Sequence, residues 1–246
     1  MTSRRTDFLA RIAAAPVVLG MVHLKGETPE EKLDIAKREI ETLYSNGVDA
    51  VIVENYFGTP DDVEAVLSWL QQERPTACYG VNVLDDDARG FALAAAYGVS
   101  FVQLDSVAGH LTADDEPAFA EKLAGWREAT DAAVLGGVRF KYQPYLSGND
   151  LETDLRLGMA RADAIVVTGE GTGMETNLDR ITEFRGILGE FPLIVGAGVT
   201  ADNCVAQLAH ANGAIVGSFL KDTRKDDGDV LGAHVAELTQ IAHGAR

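Results

Sequence analysis

Six apolar runs in this chain end on a polar side chain, and the set suits proton transfer: His23, Glu54, Asn82, Asp105, Lys141 and Thr168. Two carboxyls, Glu54 and Asp105, can remove a proton. Lys141 can polarise a carbonyl or return a proton, provided that burial and neighbouring charge separate the pKa values. The same lysine serves equally well as one partner in a structural ion pair. A Schiff base is its weaker use, because a lysine held charged by carboxylates is a poor nucleophile. His23 is either a base or a core histidine that anchors a loop, and Asn82 suits a hydroxyl contact better than chemistry. The catalytic candidates are therefore Glu54, Asp105, Lys141 and His23. Glu54, Asp105 and His23 also offer the oxygen and nitrogen donors of a divalent-metal site, although their positions follow no metal-binding spacing, so no cofactor is expected and a divalent metal stays open as an alternative.

Between Phe191 and Lys221 the order is apolar run, glycine turn, helical pattern from Thr200, apolar run, glycine turn, with Gly196-Ala197-Gly198 and Gly217-Ser218 as the turns. Glycine lets backbone N–H groups approach an anion with no side chain in the way, so Gly196, Gly198, Gly217 and Ser218 are candidate phosphate contacts. The competing reading is that these glycines only make tight strand-to-helix turns. A third glycine-rich run, Thr168-Gly169-Glu170-Gly171-Thr172-Gly173, lacks the lysine that a P-loop places after its glycines. It is either a lid in which Glu170 and Thr172 touch ligand or a spacer between a strand and a helix. The charged stretch from Lys221 to Asp229 reads as a solvated loop, with Lys221 alone near enough to assist an anion.

The elements that must carry these residues are legible as buried strands at Val17 to Leu24, Asp49 to Tyr56, Ala77 to Leu84, Ser100 to Val107, Val134 to Tyr142, Ala162 to Gly169, Phe191 to Gly198 and Gly213 to Ser218. Helical patterns separate them. Thr28-Pro29-Glu30-Glu31 and Thr59-Pro60-Asp61-Asp62 are helix starts, with an N-cap threonine, a proline in the first turn and an acid at the third position. Thr112 to Asp115 and Thr176 to Asp179 predict two more starts, and Asn46-Gly47 and Tyr97-Gly98 predict stops. Near-continuous apolar strands alternating with helices imply a parallel sheet buried on both faces, and eight units favour closure. The expected fold is one α/β domain over residues 1–246, a single (β/α)8 TIM barrel preceded by a short amphipathic helix over residues 3–14. The glycine turns then follow strands seven and eight, where such barrels commonly bind phosphate. Alternation along each strand puts the six polar residues inside the barrel at one end, with Val22, Val53, Leu104 and Phe140 facing the helices.

A chain of 246 residues with 46% hydrophobic and 24% charged residues is globular, and no Pro/Gly/Ser-rich stretch divides it. The net charge of -17 repels phosphate backbones and anionic membranes, so nucleic acid is not an expected partner. Arg11 interrupts the only candidate export signal and no apolar run reaches the length of a membrane span, so a cytoplasmic protein is expected. Cys78 and Cys204 fit two reduced thiols. A homo-oligomer is compatible with the composition.

The sequence resembles the BtpA/SgcQ family, as a divergent branch. The resemblance rests on Gly20 to Leu24, Gly47 to Asn55, Gly80 to Leu84, Ala162 to Gly169 with Thr172-Gly173, and Val195 to Lys221. It implies a barrel of the ribulose-phosphate-binding type and marks Glu54, Asn55, Asn82, Gly198 and Gly217 as family positions, which adds Asn55 to the substrate-binding candidates. One branch of the family has a role in photosystem I accumulation in cyanobacteria and another is associated with sugar-utilisation operons. Asp85-Asp86-Asp87 stands where the family tends to have an Arg-Asn-Asp run, and Phe101 to Asp105 lacks a usual arginine and asparagine.

Together these features predict an enzyme acting on a small phosphorylated sugar or nucleotide-like compound by proton transfer next to a carbonyl, of isomerase, epimerase or lyase type. The alternatives are a non-catalytic assembly factor that retains a phosphate-binding barrel, and a metal-assisted lyase.

Overall fold

The computed structural model describes residues 3–244, so the outer ends of the expected domain, residues 1–2 and 245–246, lie outside the described residues. Eight parallel strands pair in chain order and the last returns to the first, closing the sheet. They are β1 (Val17–Val22), β2 (Ala50–Glu54), β3 (Tyr79–Asn82), β4 (Phe101–Ala108), β5 (Ala133–Val138), β6 (Ala164–Thr168), β7 (Leu193–Gly196) and β8 (Gly213–Val216). The helices are α1 (Arg4–Ala14), α2 (Pro29–Ser45), α3 (Pro60–Glu73), α4 (Asp87–Tyr97), α5 (Glu116–Glu128), α6 (Leu151–Arg161), α7 (Leu178–Leu188), α8 (Cys204–Leu208) and α9 (Gly232–Gly244). Among the described residues no helix is long and apolar enough to cross a membrane.

Strand alternation divides the apolar residues into two clusters. Leu19, Met21, Ile52, Phe101, Leu135, Val166, Ile194 and Ile215 fill the barrel, whereas Val18, Val22, Val53, Leu104, Val134 and Val167 pack outward against the helices. Helix α1 seals the end opposite the strand C-termini. Ser3 caps it, and Phe8 and Ile12, four residues apart on one face, are buried. Phe8 stacks on Phe101 at 4.3 Å between ring centroids. A Cβ at Gly80 would fall 2.2 Å from the Phe101 ring, so the glycine on β3 makes room for this plug.

The threonine starts of α2 and α3 form as expected, and Thr59 completes a reciprocal capping box with Asp62. Four expectations need correction. Strand β5 ends at Val138, and positive φ at Arg139 and Tyr142 turns the chain so that Lys141 stands on the following loop and Phe140 packs inside the barrel rather than against the helices. Helix α7 is capped by Asn177, because the Thr176 hydroxyl donates instead to the Gly196 carbonyl at 2.8 Å. Thr112 organises only the turn before α5, which has no side-chain cap. The helix expected from Thr200 begins at Cys204 and lasts five residues. Cys78 and Cys204 are free thiols.

Candidate functional site

Strand alternation carries Glu54, Asn82 and Asp105 to one end of the barrel interior, and Glu54 and Asn82 are register partners on β2 and β3. The Asn82 amide donates one hydrogen to Glu54 Oε1 at 2.9 Å and the other to Asp105 Oδ1 at 3.3 Å, so a single NH2 group holds both carboxyls. Burial, reinforced by the Asp105 charge, pushes the Glu54 carboxyl up to about 8, which keeps it protonated at neutral pH. Burial also raises Asp105. At the rim, burial and then Asp105 push Asp87 up to about 6.

His23 follows β1 and is buried. Its Nδ1 lies 3.2 Å from the Asp226 carbonyl, which only accepts, so Nδ1 carries the proton and Nε2 is left as the acceptor. That Nε2 faces Glu54 Oε2 at 3.8 Å. Burial, with a contribution from the Lys221 charge, lowers His23 to about 4, so the ring is neutral at pH 7. The loop that follows Lys221 is therefore more than a solvated connection: it anchors His23 through Asp226, while Lys25 reaches Asp227 and Asp229.

Lys141 makes no ion pair in the described structure. Its backbone N–H donates to Thr168 Oγ1 at 2.9 Å and its ammonium to Thr172 Oγ1 at 3.0 Å, which ties the loop after β5 to the loop after β6. Tyr142 strengthens the tie by accepting from Thr172 N at 2.8 Å. The Tyr56 hydroxyl faces Asp226 and Thr172 from the opposite wall. The glycine-rich run after β6 is thus pinned through Thr172, while Glu170 is exposed and does not line the cavity.

The turn after β7 holds two consecutive left-handed residues, Ala197 at φ 67° and Gly198 at φ 65°. Its carbonyls are occupied: Thr176 Oγ1 reaches those of Gly196 and Ala197, and Asn203 Nδ2 donates to that of Gly198. A Cβ on Gly198 would meet backbone atoms of Met174 and Glu175 at 2.3 Å, so this glycine is required by the packing of the two loops. Gly217 has a different reason, since a Cβ there would press the His23 ring at 3.1 Å. After it, Ser218–Leu220 form one 3-10 turn. Lys221, expected to assist an anion, is instead 1% exposed, paired with Glu39 at 2.7 Å and absent from the lining of the cavity. The cation that lines the mouth beside β8 is Arg224.

These groups share one cavity of about 660 Å³ at the C-terminal ends of the strands. It is lined by His23, Glu54, Asp105, Lys141, Thr168 and Thr172, and by Gly196, Gly198, Gly217 and Ser218. Asn82 lies beneath it as the link between the carboxyls. Asn55 stands apart: its Oδ1 accepts from Leu84 N at 2.7 Å, bracing the loop after β3. Among the described residues no group of three or more His, Cys, Asp or Glu is arranged to hold a metal ion, and that includes Glu54, Asp105 and His23.

Sequence reasoning missed Tyr56, Asp85, Gln103, Tyr142 and Arg224, all of which line the cavity. Gln103 and Tyr56 were within reach, because each lies two residues from an inward carboxyl on the same strand direction. No local signal marked Arg224 or Tyr142, whose positions depend on left-handed loop residues.

The family model described as BtpA family matches residues 15–244. This chain belongs to the BtpA family. Among curated relatives, the photosystem I biogenesis protein BtpA of Synechocystis sp. is 31% identical over 229 residues, covering 83% of this chain and 80% of the relative. Solved structures with the same fold include phosphoribosyl anthranilate isomerase from Thermus thermophilus (TM-score 0.63, 14% identity, 94% of this chain and 100% of that chain). Another is thiamine phosphate pyrophosphorylase from Pyrococcus furiosus (TM-score 0.60, 15% identity, 96% and 98%). At these identities the likeness establishes the barrel alone.

Proposed function

We propose that this BtpA-family barrel is an enzyme that binds a small phosphorylated sugar or nucleotide-like substrate and moves a proton next to a carbonyl, as an isomerase, epimerase or lyase. The observation that carries this reading is the pair of carboxyls held by one Asn82 amide, beside a neutral His23, in the same cavity as two glycine turns and Arg224. Backbone N–H groups at Gly198, Gly217 and Ser218 hold the phosphate, with Arg224 adding charge. Asp105 takes the proton from the carbon beside the carbonyl. The electron pair moves onto the carbonyl oxygen, where the Lys141 ammonium stabilises it, and protonated Glu54 returns a proton to the oxygen or the neighbouring carbon. Thr168 and Thr172 keep Lys141 in place for this task.

The test is a thermal-shift screen of phosphosugars, nucleotides, their dephosphorylated forms and inorganic phosphate, because a ligand of the native state raises the midpoint by mass action. Compounds that bind are then incubated in D2O, and exchange of the proton beside the carbonyl is followed by NMR. Stabilisation by phosphorylated members only, with exchange, is the expected result. The 31% identity to a photosystem I biogenesis protein favours a second reading, a non-catalytic assembly factor. A flat screen together with stable co-purification of a protein partner would select it.

A further inference from the structure

We infer that the glycine-rich segment 169–173 is a lid over the barrel mouth, latched shut in this structure by Thr172, and that its closing brings the Lys141 ammonium into reach of the two carboxyls. This deepens the proposed function, and the task given to Lys141 rests on that reading. Topology puts the lid over the mouth. In a closed ring of eight strands, β2 and β6 stand four strands apart in either direction, on opposite sides of the barrel. Tyr56 follows β2 and Thr172 follows β6, yet the Tyr56 hydroxyl faces Thr172. The two loops therefore meet across the barrel axis, over the cavity that both residues line. Asp226, from the loop after β8, joins them at the Tyr56 hydroxyl. Lys141 is held at the same place: its ammonium donates to Thr172 Oγ1 at 3.0 Å, while its charge acts on His23, Glu54 and Asp105.

The segment is fastened as a moving part would be. Its neck is closed, because Gly169 lies so near the Glu175 backbone that a Cβ would fall 2.7 Å from the carbonyl oxygen, and Met174 and Glu175 pack on Gly198. Its tip is tied by one residue. Among the described residues, Thr172 alone of 169–173 hydrogen-bonds to another loop, through its hydroxyl to Lys141 and through its N–H to the Tyr142 hydroxyl at 2.8 Å. Glu170, Gly173, Met174 and Tyr142 are exposed, so lifting the tip uncovers little buried surface. Two hydrogen bonds at a wet rim contribute modestly, which places this segment at the low end of local stability, where lids are found. Opening clears the mouth and at the same time takes the threonine oxygen away from Lys141. Thr172 is thus a positioning residue that acts through Lys141, coupling closure to the placement of its charge.

The experiment uses the full chain and needs no substrate. Amide hydrogen exchange over residues 169–174 is followed by mass spectrometry in the parent, Thr172→Val, Tyr142→Phe and Thr172→Ser. The Glu54 carboxyl is titrated by 13C NMR in the same proteins and in Lys141→Met. Exchange in the segment should quicken about tenfold in Thr172→Val and in Tyr142→Phe, with β6 and β7 unaffected. The Glu54 titration should move up in Thr172→Val toward its position in Lys141→Met, since the Lys141 charge lowers it, and Thr172→Ser should restore both readings. Should Thr172→Val fail to fold, Thr172→Ala takes its place. Exchange that stays at the parent rate in both variants overturns the lid. Faster exchange with an unmoved Glu54 titration overturns the coupling to Lys141. Inorganic phosphate, added to the parent in a thermal-shift measurement, separates this inference from the proposed function: no stabilisation, with the exchange and titration results as expected, overturns the phosphate reading and leaves the lid standing.

Discussion

His23 Nε2 and Glu54 Oε2 face each other across 3.8 Å inside the barrel mouth, a ring nitrogen held as an acceptor opposite a carboxyl that burial keeps protonated. The Asp226 carbonyl fixes the first state by engaging Nδ1. The neighbouring Asp105 charge reinforces the second. An acid and a base that coexist uncharged at neutral pH are what proton transfer in a closed site requires.

The pair makes stability depend on pH in a defined direction. Glu54 titrates at about 8 in the folded protein against an ordinary 4.5, so between those values the unfolded chain releases a proton that the folded one keeps, and stability falls as pH rises. His23, lowered to about 4 from 6.5, acts in the opposite sense below 6.5, where stability rises with pH. From pH 6.5 to 8 only the Glu54 effect remains of these two. Glu54→Gln should therefore gain stability over the parent, with the gain growing by about 1.4 kcal/mol per pH unit across that window. Urea unfolding at several pH values measures it, and a pH-independent difference would show that Glu54 titrates elsewhere.

Turnover should depend on the same proton. With Glu54 as the acid, kcat/KM for the substrate found by screening should fall about tenfold per pH unit above pH 8, and Glu54→Gln should lose roughly 10²–10⁴-fold and abolish that limb. A limb retained in the variant would assign it to another group.

Lys141 holds no carboxylate in an ion pair, so Lys141→Met should change folding stability by less than about 1 kcal/mol while lowering activity. Its charge lowers the Glu54 pKa, so the alkaline limb of any residual activity should move to higher pH. A large loss of stability would instead identify a structural role.

Lys221 should behave in the opposite manner. Its ammonium is buried against Glu39 at 2.7 Å, and removing one partner of such a pair typically costs about 3–5 kcal/mol. Lys221→Met should therefore be strongly destabilised, and Lys221→Met with Glu39→Leu should recover most of the loss. Additive losses in the double variant would refute the pairing.

At the rim, Arg224→Met should weaken binding of phosphorylated ligands by about 1.5–3 kcal/mol with little effect on the fold, since its exposed partner Glu237 lies at 3.4 Å. Calorimetry with inorganic phosphate tests this directly, and unchanged affinity would remove Arg224 from the anion site.

The sequence by itself determined the eight strands, the threonine caps of α2 and α3, and the shared inward direction of His23, Glu54, Asn82, Asp105 and Thr168. These follow from local rules: side chains alternate along a strand, and a cap is satisfied within three residues. Tertiary structure decided the rest. Lys141 lost its predicted strand position because left-handed residues at Arg139 and Tyr142 end the alternation of β5. Lys221 was buried by Glu39, 182 residues away, and His23 was fixed by Asp226, 203 residues away, and neither partner leaves a mark near the residue it controls. Gln103 sat on the readable face of β4, yet its side-chain oxygen is buried without a hydrogen-bond partner among the described residues only once the barrel closes around it. Direction along a strand is a property of the chain, whereas partner, burial and charge state are properties of closure, which brings together residues that the chain keeps far apart.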